Sequence, residues 1–128
     1  MLLHSTLTER IIGAALSVHK ELGPGLLESA YSACLAHELH RVGVRFETQA
    51  RLPLRYRNIH VDAGYRLDFI VENTVVLELK AVEQVLPVHR AQLLSYLRLS
   101  GLSVGLLLNF NVVHLRYGIH RMVLSPRA

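Results

Sequence analysis

Glu78 and Lys80 stand two residues apart in Val75 to Val82, a run that is otherwise almost wholly apolar. Such a run is expected of a central strand buried on both faces, and residues two apart on a strand share a face. A carboxylate and an ammonium placed there form either a structural ion pair or part of a site. Asp68 supplies a second acid from the preceding strand pattern, and a tight connection at Glu72-Asn73-Thr74 would set it beside Glu78. That meeting requires paired residue numbers with an even sum, as when Val71 lies opposite Val75. Two carboxylates directly opposed across antiparallel strands repel one another, and a divalent cation answers the repulsion. Mg²⁺ prefers hard oxygen donors and takes one or two protein carboxylates, leaving its other positions to water and substrate phosphate. Lys80 beside it could orient or deprotonate an attacking water, or stabilise charge on the phosphate.

Glu28 is a third acid in an unexpected place. Stepping back from Leu35 through Tyr31 at helical spacing lands on Glu28, on the apolar stripe of a helix. A buried carboxylate needs a partner, a proton or a cation; a first-turn glutamate also simply complements the helix dipole. Both readings stand. Gln92 and Tyr96, at i and i+4, project from one face of the helix that follows the Glu78/Lys80 strand.

The elements that must position these residues follow from periodicity. Leu7, Ile11, Ala15, Val18 and Leu22 mark a first helix, with Thr6 and Glu9 in the form of a capping box. Gly23-Pro24-Gly25 ends it. A second helix runs from about Leu26 to a cap at Gly43. Period-two alternation then predicts one strand over Val44 to Tyr56, with Pro53 at an edge or bulge, and another over Val61 to Val71 after a turn at Asn58. Pro87 to Gly101 reads as a third helix, Ser103 to Asn109 as a buried strand, and His114 to Leu124 as a weaker strand pair turning at Gly118. The order predicts an α/β fold, a mixed central sheet flanked by helices, in a single domain over 1–128.

Composition narrows the class. The chain has 128 residues, 51% hydrophobic, with 14 Lys and Arg against 10 Asp and Glu, a formal charge of +4 that favours an anionic partner. One cysteine, Cys34, makes no internal disulfide, and the N-terminal residues lack the basic-then-apolar pattern of a secretory signal, so a cytoplasmic setting is expected. No apolar run approaches the roughly 20 residues that span a bilayer, so no membrane partner is expected. Cys34, His37 and His40 are spaced by three, but their directions drift around the helix and a fourth zinc ligand is missing. Arg45, Arg51, Arg55 and Arg57 form either a basic face for a nucleic-acid backbone or a solvated surface. His89 reads as a helix-start surface residue.

Gly25, Glu28 and Tyr31 spell GxxExxY, and Arg66-Leu67-Asp68, Glu78-Leu79-Lys80 and Gln92 to Tyr96 follow in order. Together they resemble the GxxExxY proteins, a compact branch of the PD-(D/E)XK nuclease superfamily, over about Ile11 to Leu124. The resemblance implies a nuclease-like core and a Mg²⁺- or Mn²⁺-dependent nuclease that hydrolyses phosphodiester bonds of DNA or RNA with metal-activated water. It makes Asp68, Glu78 and Glu28 the metal-binding acids and Lys80 the catalytic lysine. Gln92, Tyr96, Tyr31 and Arg66 become residues that support the site or touch substrate. A domain this small would take its specificity from a partner protein or from a second copy of itself. The rival reading is a non-catalytic nucleic-acid-binding or assembly module on the same fold. Clustered acids near a polyanion serve a binder poorly and favour the enzyme.

Overall fold

A computed structural model describes residues 3–125, so the outermost residues of the expected span 1–128 lie outside the described residues. Helix α1 covers Ser5–Leu22 and buries Ile11, Ala14, Ala15 and Val18. The expected Thr6/Glu9 capping box does not form. The helix begins two residues earlier, after His4, which has no side-chain cap; Thr6 is thus already helical, and Thr8 Oγ1 donates to Ser5 O at 3.1 Å instead.

Helix α2 covers Glu28–Arg41. It starts later than periodicity suggests because Tyr31 holds the preceding loop. The Tyr31 hydroxyl donates to Gly23 O at 2.6 Å and accepts from Leu26 N at 3.1 Å. Its ring is fully buried and stacks on Phe110, with centroids 4.6 Å apart.

Five strands form the sheet in the order β1-β4-β5-β6-β7, and β2 and β3 form a separate two-stranded ribbon. Here β1 is Phe46–Arg51, β2 Leu54–Tyr56, β3 Ile59–Val61, β4 Arg66–Val71, β5 Val75–Lys80, β6 Val104–Asn109 and β7 Ile119–Val123. All pairs are antiparallel except β5 with β6, which helix α3, Pro87–Ser100, connects as a crossover. Helices α1 and α2 pack on one face with Phe69, Leu77, Leu79, Leu106 and Leu108; α3 packs on the other with Leu67, Val76 and Leu107. Each such leucine contributes about 1.5–3 kcal/mol by leaving water.

Three expectations change. The single strand over Val44 to Tyr56 breaks at Leu52-Pro53 into β1 and β2, because proline has no N–H to donate to a ladder. The strand over Val61 to Val71 breaks opposite it into β3 and β4. Both long strands also change faces: Phe46 and Ala50 belong to opposite cores, as do Phe69 and Leu67. The reversal falls at Gln49 and Asp68, where Gln49 has φ +50.

The third change is at the C-terminal end, where the first of the two expected strands is a 3-10 turn, Leu115–Gly118. A Cβ on Gly118 would lie 2.1 Å from Asn109 O, so this turn packs against the end of β6 as only glycine allows.

Candidate active site at an opened strand pair

The loop Glu72 to Thr74 closes the β4–β5 hairpin with Val71 opposite Val75, Ile70 opposite Val76 and Phe69 opposite Leu77. This is the even-sum register, and its next step faces Asp68 with Glu78. There the backbone ladder stops and side chains replace it. Asp68 N donates to Glu78 Oε1 at 3.2 Å, and Leu79 N donates to Asp68 Oδ2 at 2.8 Å. Two buried amides that would otherwise seek strand carbonyls are thus satisfied by two carboxyl groups. On the other side of β4 the ladder to β1 also skips Asp68, since the pairs run Thr48 with Phe69 and then Ala50 with Leu67.

Asp68 opens onto the α2 face, where it lines a cleft of about 540 Å³ with Glu28, Ser29 and Ser32 of α2, Thr48 and Gln49 of β1, and Leu79. Glu78 is 6% exposed, lies on the strand face that carries Val76, and acts on Tyr96 of α3. The two acids therefore meet from opposite sides of the sheet through the gap in the ladder. Glu28 stands at the first turn of α2, largely exposed along its length, with its carboxyl turned toward the charges of Asp68 and Lys80. Lys80 is half-buried at the end of β5 beside Asn109 of β6.

These surroundings alter protonation. Burial and then the charge of Asp68 push the Glu78 carboxyl up to about 8. Burial also raises Asp68, although the Leu79 amide, Lys80 and hydrogen bonding from Gln49 and Glu78 pull it back. Burial, with Asp68 second, raises Glu28. Glu78 therefore holds its proton more tightly than an ordinary carboxyl, with Asp68 and Glu28 raised beside it, while Lys80 draws all three acids toward ionisation. Burial and the nearby Glu78 raise the Tyr96 hydroxyl, which accepts a 2.9 Å bond from Gln92 Nε2.

The structure brings Asp68, Glu78, Lys80 and Glu28 together and sets Gln92 and Tyr96 behind Glu78. It does not bring Tyr31 or Arg66 into the cleft: the Tyr31 hydroxyl is committed to the α1–α2 loop, and exposed Arg66 lines a different depression. His89 accepts from Leu86 N at 2.9 Å and caps α3. Gln49 and Tyr65, whose ring tilts against Tyr96 at 6.0 Å, escape sequence reasoning. Gln49 reads as an ordinary outward residue of an alternating strand, and nothing in the period marks the reversal at its position.

Among the described residues no three His, Cys, Asp or Glu side chains are arranged as a ready-made metal cage. The donor chemistry nevertheless fits a hard divalent ion. Asp68 and Glu78 are in contact, Glu28 borders the same cleft, and Mg²⁺ requires no more than one or two protein carboxylates. The cleft is not the largest concavity; one of about 700 Å³ lies between α1 and the segment that carries Val113 and His114.

A three-layer α/β/α arrangement, with paired acids and a lysine where two central strands part, defines a nuclease-like class of fold. A family profile described as the PD-(D/E)XK nuclease superfamily matches residues 5–122, and the chain belongs to that superfamily. No curated protein and no solved structure gives a significant match.

Proposed function

We propose that this chain is a Mg²⁺- or Mn²⁺-dependent nuclease of the GxxExxY branch that hydrolyses phosphodiester bonds in DNA or RNA. The observation that carries this reading is the opened β4–β5 ladder, where two acids with raised proton affinity face each other one step from Lys80. A purely structural pair would gain more from an uninterrupted ladder and apolar side chains.

Asp68 and Glu78 would hold the cation, with Glu28 completing the oxygen set. A bound divalent ion supplies Lewis acidity and a nucleophilic water at neutral pH. The protein's own groups do the rest. Lys80 offsets the charge growing on the phosphate and orients the water. Tyr96, fixed by Gln92, walls the buried side of Glu78 and keeps its carboxyl aimed at the gap. Tyr31 supports the site indirectly by fixing the loop before Glu28. The residues 1–128 act as one domain, and the free Cys34 suits a reducing cytoplasm.

Titrating Mg²⁺ and Mn²⁺ into purified protein with end-labelled DNA and RNA tests the reading. Metal-dependent cleavage of either polymer is expected; intact substrates throughout both titrations would overturn it. The non-catalytic module draws support from one fact, that each central carboxyl already commits one oxygen to a backbone amide. Binding without turnover in the same titration would favour it.

A further inference from the structure

Beyond the cleft, the far end of the β1–β4 pair carries two opposed arginines, of which Arg51 has a carboxylate partner and Arg66 only the Tyr65 carbonyl. Arg51 and Arg66 lie directly opposite one another in the β1–β4 ladder. Like charges in that position repel unless an anion sits between them. Of the two arginines Asp62 reaches Arg51 alone, at 3.0 Å, its other oxygen accepting from Gly64 N, and the ion pair is largely exposed. The ribbon continues the pattern, with Arg55 directly opposite His60 and Arg57 at the turn. Arg57 holds φ +53, a conformation that suits glycine or asparagine better, and its guanidinium lies 5.5 Å from the Tyr56 ring centroid. From Leu54 to Val61 there is no acid at all.

Arg45 on the inner part of the same hairpin shows what a structurally satisfied arginine looks like. Glu72 accepts from its backbone N at 2.8 Å and from its guanidinium at 3.3 and 3.4 Å. Among the described residues no carboxylate lies within ion-pair distance of Arg55, Arg57 or Arg66. Arg51, His60 and Arg66 also line one depression of about 360 Å³, with Asp62 as its one acid, which joins the ladder end to the ribbon. Arg66 is two residues from Asp68 on β4, and His60 is eight, at most about 27 Å along an extended chain.

We infer that Arg51, Arg66, His60, Arg55 and Arg57 form a track for the sugar-phosphate backbone of the nucleic-acid strand that enters the Asp68 cleft. This rests on the nuclease reading and adds where the substrate lies. The occupant is a phosphodiester backbone because the track offers guanidinium and imidazole N–H groups along an acid-free ribbon. Contacts of this kind are indifferent to base sequence and depend strongly on salt.

Fluorescence anisotropy of a labelled DNA duplex, and of a labelled RNA, with the full chain in EDTA separates binding from cutting. Arg55→Ala with Arg57→Ala, and separately Arg66→Gln, should each weaken binding about 3- to 10-fold at low salt. The slope of log affinity against log salt should become shallower by about one for each phosphate that is no longer neutralised. Arg98→Ala, an exposed arginine on α3, should change neither quantity, and Arg55→Lys with Arg57→Lys should restore most of the affinity. Track variants with wild-type affinity and slope would overturn the inference while leaving the nuclease reading intact. A wild type that binds neither DNA nor RNA would overturn both. An acidic peptide that displaces DNA as well as unlabelled DNA does would overturn the track in favour of a protein-binding surface.

Discussion

Strand β5 has two neighbours and treats them differently. Toward β6 it pairs at all six residues, from Val75 with Val104 to Lys80 with Asn109, and β6 is buried throughout. Toward β4 it pairs at three, Val71 to Phe69, and then gives way to carboxyl groups that catch the backbone amides. The closed side holds the sheet to both helical layers. The open side leaves a gap in the centre of the molecule where polar groups reach each other across the sheet. The proposed site follows this contrast: side chains whose removal should leave the fold standing are on the open side, and those the fold depends on are on the closed side.

The most damaging substitution acts on the chemistry of the open side. Asp68→Asn keeps an oxygen for the Leu79 amide but removes a charge from the proposed cation site. Metal-dependent cleavage of labelled nucleic acid should fall on the order of 1,000-fold, comparable to loss of a principal electrostatic contributor elsewhere. Retention of more than a tenth of the wild-type rate would move the chemistry away from the gap.

The second prediction compares stabilities in EDTA. Leu77→Ala, on the α1/α2 face of β5, should cost about 2–5 kcal/mol by leaving a cavity among fully buried neighbours. Asp68→Asn should be neutral or stabilising, because it removes one of two opposed carboxyls. At about 100 times its dissociation constant, Mg²⁺ or Mn²⁺ should add about 2.7 kcal/mol to the wild type and distinctly less to Asp68→Asn. Urea midpoints at constant slope measure all of these quantities. If Asp68→Asn proved as damaging as Leu77→Ala, and the cation moved neither protein, the two sides would be equally structural.

Legibility in the sequence follows the same division. The closed side can be read directly: the apolar run at Val75, the buried strand at Val104 and the helix between Pro87 and Gly101 each carry a plain period and clear punctuation. The hairpin register is also readable, because a three-residue turn and strand alternation together set parity. The site shows itself as polar residues in apolar positions at Glu78 and Lys80. Hidden are the features that depend on non-local geometry, namely the face reversal at Gln49 and Asp68 and the division of two long patterns into four strands. Alternation counts residues and is blind to a left-handed residue that inverts the faces beyond it. Tyr31 is hidden for a different reason, since a motif position does not reveal whether a hydroxyl faces substrate or its own loop.

The last prediction concerns the pH dependence of the open side. Glu78 has an ordinary carboxyl value of 4.5 and is pushed up to about 8 in the folded protein. Between those values the folded state holds a proton that the unfolded chain has released, so unfolding releases it and rising pH favours unfolding. The contribution is fully present below about pH 4.5 and is lost as pH passes through about 8. Asp68 and Glu28, also raised, act in the same direction. His120 acts against it, because burial and then Arg90 lower its value from 6.5, so its part of the stability rises with pH up to that point. Glu72, lowered chiefly by the Arg45 amide, matters only in acid. The clean window is therefore pH 6.5 to 8. There, in EDTA, wild-type stability should fall with a limiting slope of about 1.4 kcal/mol per pH unit for one proton. Glu78→Gln should flatten the fall, and Leu77→Ala should lower the whole curve without changing its slope. Wild-type stability that held level or rose across this window would mean that Glu78 is ionised in the fold and that the open side already contains its own counter-charge.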